Sequence, residues 1–248
     1  NSPRASFIVT GYNEEKYIRE AVLSAFHQDY PNLQVVLSDN ASTDRTFEIM
    51  RELAASAPAG IDVVLNRNAE NLHLSGNLQK AAELCDGEVI VRGCGDDVFA
   101  RDRATRTLDY FEANPKVMAS ACRYQLIGGD GQQVPGATCN NHAPPGWEQM
   151  TSVQILQCCV TGRSGSGIYG CAAAYRKCLF TMFPPLPSGI LWDDQMLLFR
   201  ATMLGGAGWM DDQLVQYRTH GGNSVGAAIG PGKLSVMEME RHRARLCS

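Results

Sequence analysis

Residues 6–44 read SFIVTGYNEEKYIREAVLSAFHQDYPNLQVVLSDNASTD, with a short β-rich run on either side of a stretch with helical spacing. Residues 6–10 and 34–38 are rich in the β-branched and apolar residues that favour strands. After Asn13, a plausible N-cap, apolar residues recur at the three- and four-residue intervals of a helix with one buried face. A strand, a helix and a second strand in this order predict a βαβ unit and a parallel sheet.

The alternation of strands and helices continues through the first half of the chain. A second helix is predicted to start at the cluster Ser42, Thr43 and Asp44. Further predicted strands are residues 61–65, 88–92 and 117–124, and further predicted helices are residues 74–84 and 103–111. We therefore predict a single α/β domain with a Rossmann-like, mostly parallel central sheet flanked by helices.

The second half of the chain is less regular. Residues 128–146 are rich in Gly, Pro and Asn and predict a long surface excursion, residues 165–175 predict a glycine-interrupted strand, and residues 193–204 have helical spacing. We divide the chain into a nucleotide-binding half (1–127), an acceptor-side and catalytic half of the same domain (128–225) and a tail (226–248). Mixed charges at helical spacing predict a surface helix in the tail.

Composition excludes several classes of protein. The 248 residues carry a net charge of −4 without a run of Lys and Arg, so nucleic acid is not an expected partner. No stretch approaches the roughly 20 apolar residues of a membrane span, and we expect a cytoplasmic protein. The nine cysteines lack the paired spacings of a zinc site, which favours reduced thiols.

Polar residues end three of the predicted strands. These strand ends are Thr10-Gly11-Tyr12-Asn13-Glu14, Ser38-Asp39-Asn40 and Cys94-Gly95-Asp96-Asp97. In an open parallel sheet ligands bind at the carboxyl ends of the strands, and carboxylates are the preferred ligands of Mg²⁺ and Mn²⁺. Since neither a Walker lysine loop nor a GxGxxG follows the first strand, the pattern favours a nucleotide whose phosphates are neutralised by a divalent cation.

Four ordered segments resemble the family-2 glycosyltransferases, whose fold is termed GT-A. The segments are VTGYNEEKYIREAVLSAFHQDYPNLQVVLSDNASTDRT, DGEVIVRGCGDDVFARD, WDDQMLLFRA and YRTHGGNS, which together extend from Ser6 to Ser224. The resemblance implies an inverting transferase that moves a sugar from a nucleotide diphosphate sugar, most commonly a UDP-sugar, to an acceptor hydroxyl.

The resemblance also assigns donor-binding residues. Thr10 and Tyr12 match residues that contact the base and ribose, and Asp39 matches the carboxylate that accepts a hydrogen bond from a pyrimidine ring. Glu14, Gly95 and Asp97 are the other expected donor-binding residues of the strand ends, and Arg218 is a candidate diphosphate contact. For Asp39 the alternative is a turn or helix-capping role, and for Tyr12 it is packing alone.

The implied metal ligands are Asp96 and His220. Asp96 matches the metal-ligating aspartate that ends the family's Asp-x-Asp motif, whereas Cys94 replaces the first aspartate of that motif. A solvated turn is the alternative for Asp96 and Asp97, and a structural role is the alternative for His220. The cysteine leaves one fewer carboxylate for metal or ribose, so metal affinity or donor choice could differ from the family's.

Asp193 and Asp194 open a predicted helix, where a carboxylate also favours the helix dipole. In the family an acidic pair stands here and its second member, Asp194, is the general base. Two rival functions remain open at this point. One is a nucleotide-sugar-binding protein that has lost turnover, and the other is a sugar nucleotidyltransferase, which would need a basic glycine-rich loop after the first strand.

Overall fold

The computed structural model describes residues 2–135, 143, 146–147, 150–151, 153–154, 157, 168–190 and 193–221. Its strands are β1 (Ala5–Gly11), β2 (Leu33–Asp39), β3 (Asp62–Arg67), β4 (Val89–Cys94), β5 (Val98–Phe99), β6 (Ala119–Gly128), β7 (Ala173–Arg176) and β8 (Ala207–Thr219). Its α-helices are α1 (Ile18–Phe26), α2 (Thr46–Ala55), α3 (His73–Glu83), α4 (Arg103–Ala113), α5 (Cys178–Thr181) and α6 (Asp193–Leu204).

All eight strands form one sheet in the order β3-β2-β1-β4-β7-β6-β8-β5. Strands β1 to β4 are parallel to one another, β6 and β8 are also parallel, and β7 runs antiparallel to both β4 and β6. The short strand β5 pairs antiparallel with β8 at the sheet edge. The predicted α/β fold with a mostly parallel sheet is therefore confirmed.

The helices cover both faces of the sheet. Helices α1, α2 and α4 pack on one face, where Phe7 and Val9 of β1 point, and α3, α5 and α6 pack on the other face with Ile8. Alternate residues of β1 thus enter opposite cores, because successive side chains of a strand point to opposite faces. Burial of both faces explains why the central strands read as continuous apolar runs.

Two predicted helix starts were wrong. Helix α1 begins at Ile18, and Asn13 stands outside it with a left-handed φ of 55°. The Asn13 side chain instead accepts hydrogen bonds from the backbone N–H and the hydroxyl of Thr43. Helix α2 begins at Thr46, two residues beyond Asp44, whose carboxylate accepts the Thr46 backbone N–H at 2.9 Å. Asp44 also accepts the Glu15 backbone N–H at 3.0 Å, so Asn13 and Asp44 join the loops after β1 and β2.

Other expectations differ from the structure in the second half. Of the strand predicted over residues 165–175, Gly170–Ala172 forms a 3-10 turn, only the segment from Ala173 onward is strand, and residues 165–167 lie outside the described residues. The tail 226–248 and most of residues 136–146 lie outside them too. Strand β8 was not predicted, since it interrupts its apolar alternation with Asp211 and Asp212. Among the described residues, no helix is both long and apolar enough to span a membrane.

Candidate active site

The carboxyl ends of β1, β2 and β4 lie side by side. In the parallel register Thr10 is opposite Cys94 of β4, and Gly11 is opposite Asp39 of β2. The loops that follow are held to β1 by backbone bonds, with Gly95 N–H donating to Thr10 O at 2.8 Å and Asn40 N–H to Gly11 O at 2.9 Å. The three polar strand ends of the sequence therefore form one site.

Asp96 and His220 meet at this edge of the sheet. The Oδ2 atom of Asp96 lies 3.1 Å from Nε2 of His220, although the residues are 124 positions apart. Ligand atoms of Cys94, Asp96 and Asp97 lie within 4.8 Å of one another. Asp96 is 7% exposed and Asp97 is fully buried. Two carboxylates, a thiol and an imidazole thus converge on a small volume.

Glu14 adds a third carboxylate to this cluster. Its Oε2 lies so close to Gly95 that a Cβ atom at that position would overlap it. Only glycine permits this approach of the Glu14 side chain to the β4–β5 turn. The Glu14 backbone N–H donates to the Thr46 hydroxyl at 2.7 Å, which fixes the loop after β1. The Glu14 carboxylate can therefore reach the cluster in this position because residue 95 has no side chain.

The cluster carries excess negative charge. Burial, followed by the charges of Asp96 and Asp97, raises the pKa of Glu14 well above its ordinary value. Burial and the Asp96 charge likewise raise the pKa of Asp97, against a lowering hydrogen bond from the Arg218 backbone N–H. Among the described residues, Glu14 Oε2 and Asp97 Oδ2 are buried without a hydrogen-bond partner. Unpartnered carboxylate oxygens that repel one another fit a divalent cation.

Arg218 is a buried cation of the protein beside this cluster. Its Nε donates to Asp96 O at 2.8 Å, one terminal nitrogen to a backbone carbonyl of β6 and the other to Glu20 Oε2 at 2.5 Å. The guanidinium also lies over the Tyr17 ring, 5.0 Å from its centroid. Arg218 is 2% exposed, and each of these three nitrogens donates to a protein acceptor. These contacts favour a role in holding the β4–β5 turn over a role in contacting a diphosphate.

Asp39 combines a turn role with a free acceptor. Its Oδ2 accepts the Ser42 backbone N–H at 3.1 Å and lies 3.4 Å from Arg67 Nε. Its Oδ1 is buried and has no hydrogen-bond partner among the described residues. The turn alternative thus accounts for one oxygen, and the other can accept from a ligand.

Tyr12 and Thr10 differ in exposure. The Tyr12 side chain is 42% exposed beyond the end of β1, so packing is not its principal role. Thr10 is buried, and its hydroxyl lies 3.5 Å from Gly93 O. The Tyr12 ring therefore offers an exposed aromatic face on which a planar base can stack.

The acidic pair begins α6, as predicted, but its members have different surroundings. Asp193 is 2% exposed, and its Oδ1 accepts from the equally buried Arg92 at 2.9 Å. The Asp194 carboxylate accepts backbone N–H groups from Gln195 at 2.8 Å and Gly170 at 3.3 Å. Burial, and after it the Asp193 charge, raises the pKa of Asp194 to about 7, against the lowering effect of Arg92. Such a carboxylate suits proton transfer near neutral pH.

Arg92 is a residue of the site that sequence reasoning missed. It stands in the otherwise apolar run Val89-Ile90-Val91 of a central strand. A charged side chain in a buried strand requires a buried partner of opposite charge. The arginine in this apolar run could therefore have indicated a buried ion pair from the sequence alone. Trp192 and residues 222–224, which belong to the resembling segments, lie outside the described residues.

The mostly parallel sheet flanked by helices is the GT-A fold, which solved structures of glycosyltransferases share. TarS of S. aureus in complex with UDP-GlcNAc superposes with a TM-score of 0.66 at 20% identity over 98% of this chain and 65% of that one. A mannosyltransferase of Pyrobaculum calidifontis in complex with GDP-Man and Mn²⁺ gives 0.64 at 24% identity over 86% and 56%.

The profile of Glycosyl transferase family 2 matches residues 6–180, and the chain belongs to this family. An uncharacterized glycosyltransferase of Nostoc sp. is 26% identical over 89% of this chain and 66% of its own length. The putative glycosyltransferase EpsE of Bacillus subtilis is 29% identical over 52% and 43%. The chain thus spans less than two thirds of the length of these relatives.

Proposed function

We propose that this chain transfers a sugar from a nucleotide diphosphate sugar, of the UDP-sugar type, to an acceptor hydroxyl with inversion at the anomeric carbon. The observation that carries the proposal is the cluster of Glu14, Asp96 and Asp97 at the strand ends, with two buried oxygens that lack partners among the described residues. TarS binds UDP-GlcNAc and the mannosyltransferase binds GDP-Man, and both share this fold.

Donor binding begins with the nucleotide base. Asp39 Oδ1 accepts the ring N–H of a uracil, and the exposed Tyr12 ring contacts the base or ribose, with Thr10 lining the same strand end. Asp39 keeps its orientation because its other oxygen is held by the Ser42 backbone N–H. An acceptor already fixed by the protein loses little conformational freedom when the ligand binds.

Mg²⁺ or Mn²⁺ would be held by Asp96 and His220, with Asp97 and Glu14 beside them, and when bound it stabilises the charge that grows on the leaving diphosphate. Cys94 offers a thiol where the family has a carboxylate, so fewer hard oxygen ligands surround the ion. Arg218 holds Asp96 and Asp97 in place through its backbone and side-chain bonds.

Asp194 is the general base of the proposed reaction. It takes the proton of the acceptor hydroxyl as the hydroxyl oxygen bonds to the anomeric carbon and the nucleoside diphosphate leaves. A base on the side opposite the leaving group makes a single displacement, which inverts the configuration. Asp193 does not share this role, because its charge is paired with Arg92.

The direct experiment is a transfer assay with a panel of UDP- and GDP-sugars, Mn²⁺ and a library of acceptor glycans. Release of nucleoside diphosphate together with an inverted glycosidic bond, read by NMR, supports the proposal. Binding of the donor without transfer or hydrolysis would instead identify a binding protein. Transfer of a nucleotidyl group would identify the nucleotidyltransferase alternative.

A further inference from the structure

Arg92 occupies an unusual place for a charged side chain. It lies on β4 near the middle of the sheet and is 2% exposed, on the face that packs against α6. Removal of a guanidinium from water is costly unless a carboxylate compensates it. The compensating carboxylate is Asp193, 101 positions away, with its Oδ1 2.9 Å from Arg92 Nη1. A buried ion pair therefore ties the central strand to the start of α6.

Gly170 lies directly on the same guanidinium. A Cβ atom at this position would stand 2.5 Å from Arg92 Nη1 and 2.6 Å from its Cζ, so any other residue here would force the buried guanidinium to shift. The backbone N–H of Gly170 in turn donates to Asp194 Oδ2 at 3.3 Å. Arg92 thus contacts Asp193 through an ion pair and supports the backbone that holds Asp194.

The charges around Asp194 act in opposite directions. Among the described residues, the titratable groups that act on it are Asp193 on α6 and Arg92 on β4, and the Tyr175 hydroxyl on β7 lies within the same electrostatic environment. Burial and Asp193 raise the pKa of Asp194, and Arg92 lowers it. Arg92 consequently favours the ionised form of the residue that must accept a proton.

We propose that Arg92 is a positioning residue that fixes the Asp194 carboxylate through its ion pair with Asp193 and its contact with the Gly170 backbone. The proposal rests on the proposed function, in which Asp194 is the base, but it is tested by measurements that involve no sugar transfer. The role differs from stabilisation of the fold alone, because it requires the pKa of Asp194 to change when Arg92 is replaced.

The first experiment is a ¹³C NMR titration of the protein labelled at aspartate carboxyl carbons, with Asp194→Asn used to assign the Asp194 resonance. In Arg92→Met the upper apparent pKa of the Asp193–Asp194 pair should rise by about one unit or more, since the pair loses its cation. Arg92→Lys keeps the positive charge, so the apparent pKa of the pair should stay close to the parent value. The matched control is Arg200→Met, which removes a buried arginine of α6 that donates to the Leu179 and Pro184 carbonyls. An Arg92→Met titration that matches Arg200→Met would overturn the proposal.

A second comparison keeps the test decisive if Arg92→Met does not fold. Asp193→Asn combined with Arg92→Met removes both charges of the buried ion pair together and is compared with Asp193→Asn alone. The double variant should show a higher Asp194 pKa and about tenfold faster hydrogen exchange at the Gly170 amide, because the guanidinium under Gly170 is gone. Equal pKa values and equal exchange rates in the two variants would show that Arg92 acts on stability only. If turnover survives Asp194→Asn, the base assignment fails while these measurements stand.

Discussion

Asp96 and His220 are 124 positions apart along the chain, yet their Oδ2 and Nε2 atoms are 3.1 Å apart. The long strand β8 brings His220 there, because it runs beside β6 and pairs with β5, which follows the β4 turn. Arg218 at the end of β8 donates its backbone N–H to Asp97 Oδ1 at 2.9 Å. Strand β8 therefore joins the polar residues at its own end to those that follow β4.

The first prediction concerns metal-dependent donor binding. Asp96→Asn should abolish the Mn²⁺-dependent part of UDP binding in calorimetric titration, because it removes a charged ligand beside His220. Asp86→Asn, which removes an exposed carboxylate paired with Arg4, is the control and should bind UDP as the parent does. Equal UDP affinity with and without Mn²⁺ in the parent would contradict the metal site.

The second prediction concerns pH and the metal-free protein. The pKa values of Glu14 and Asp97 are raised in the folded protein, so their contribution to stability is fully present below the ordinary carboxyl pKa of about 4 and is lost as pH rises. The thermal midpoint of metal-free protein should therefore gain from Glu14→Gln at pH 8 and not at pH 4. The rise in midpoint on adding Mn²⁺ should grow with pH. A Mn²⁺ effect that is constant from pH 5 to pH 8 would contradict this assignment.

The third prediction concerns the base of the donor. Asp39→Asn keeps an acceptor for the Ser42 N–H but loses the charge that accepts the ring N–H of uracil, so UDP affinity should fall by about 10- to 100-fold. Mn²⁺-dependent binding of pyrophosphate should stay unchanged in the same titration. A parallel loss for both ligands would indicate a folding role, and Asp62→Asn on the exposed edge of β3 is the matched control.

The fourth prediction concerns Asp194. Asp194→Asn cannot accept a proton, so kcat should fall by about 10²–10⁴ while donor affinity hardly changes. In the parent, kcat/KM should rise with pH through about 7, since the base must be ionised and its pKa is raised to about 7. The exposed Asp211→Asn should keep the parent profile. A rate that is independent of pH from 5 to 8 would count against Asp194 as the base.

The fifth prediction concerns Cys94. Cys94→Asp restores the first carboxylate of the Asp-x-Asp motif and should raise Mg²⁺ affinity in the presence of UDP on the order of tenfold, because an oxygen anion is a better ligand for a hard cation than a thiol. Cys94→Ser adds no charge and should not reproduce the gain. Equal Mg²⁺ affinities in the two variants would show that position 94 does not contact the ion.

The sequence by itself determined the α/β class and the position of most strands and helices. Its signal is local, because burial on both faces makes β1, β2 and β4 continuous apolar runs, and amphipathic spacing marks α1, α3 and α4. The polar residues that follow these strands could also be identified from the sequence and predicted to lie together, since parallel strands place their carboxyl ends at one edge of the sheet. The helix starts at Ile18 and Thr46 were missed because Asn13 and Asp44 each accept a backbone N–H from the other loop, Asn13 from Thr43 and Asp44 from Glu15.

Only the tertiary structure decided which distant groups meet. The pairing of β8 with β6 and β5, the Asp96–His220 contact and the Arg92–Asp193 ion pair each join residues separated by roughly ninety positions or more along the chain. Such contacts depend on sheet order and register, which no local periodicity encodes. The structure likewise separated the roles of neighbours that look alike in sequence. Asp193 is neutralised by a buried arginine and Asp194 is not, because successive helix residues point in different directions.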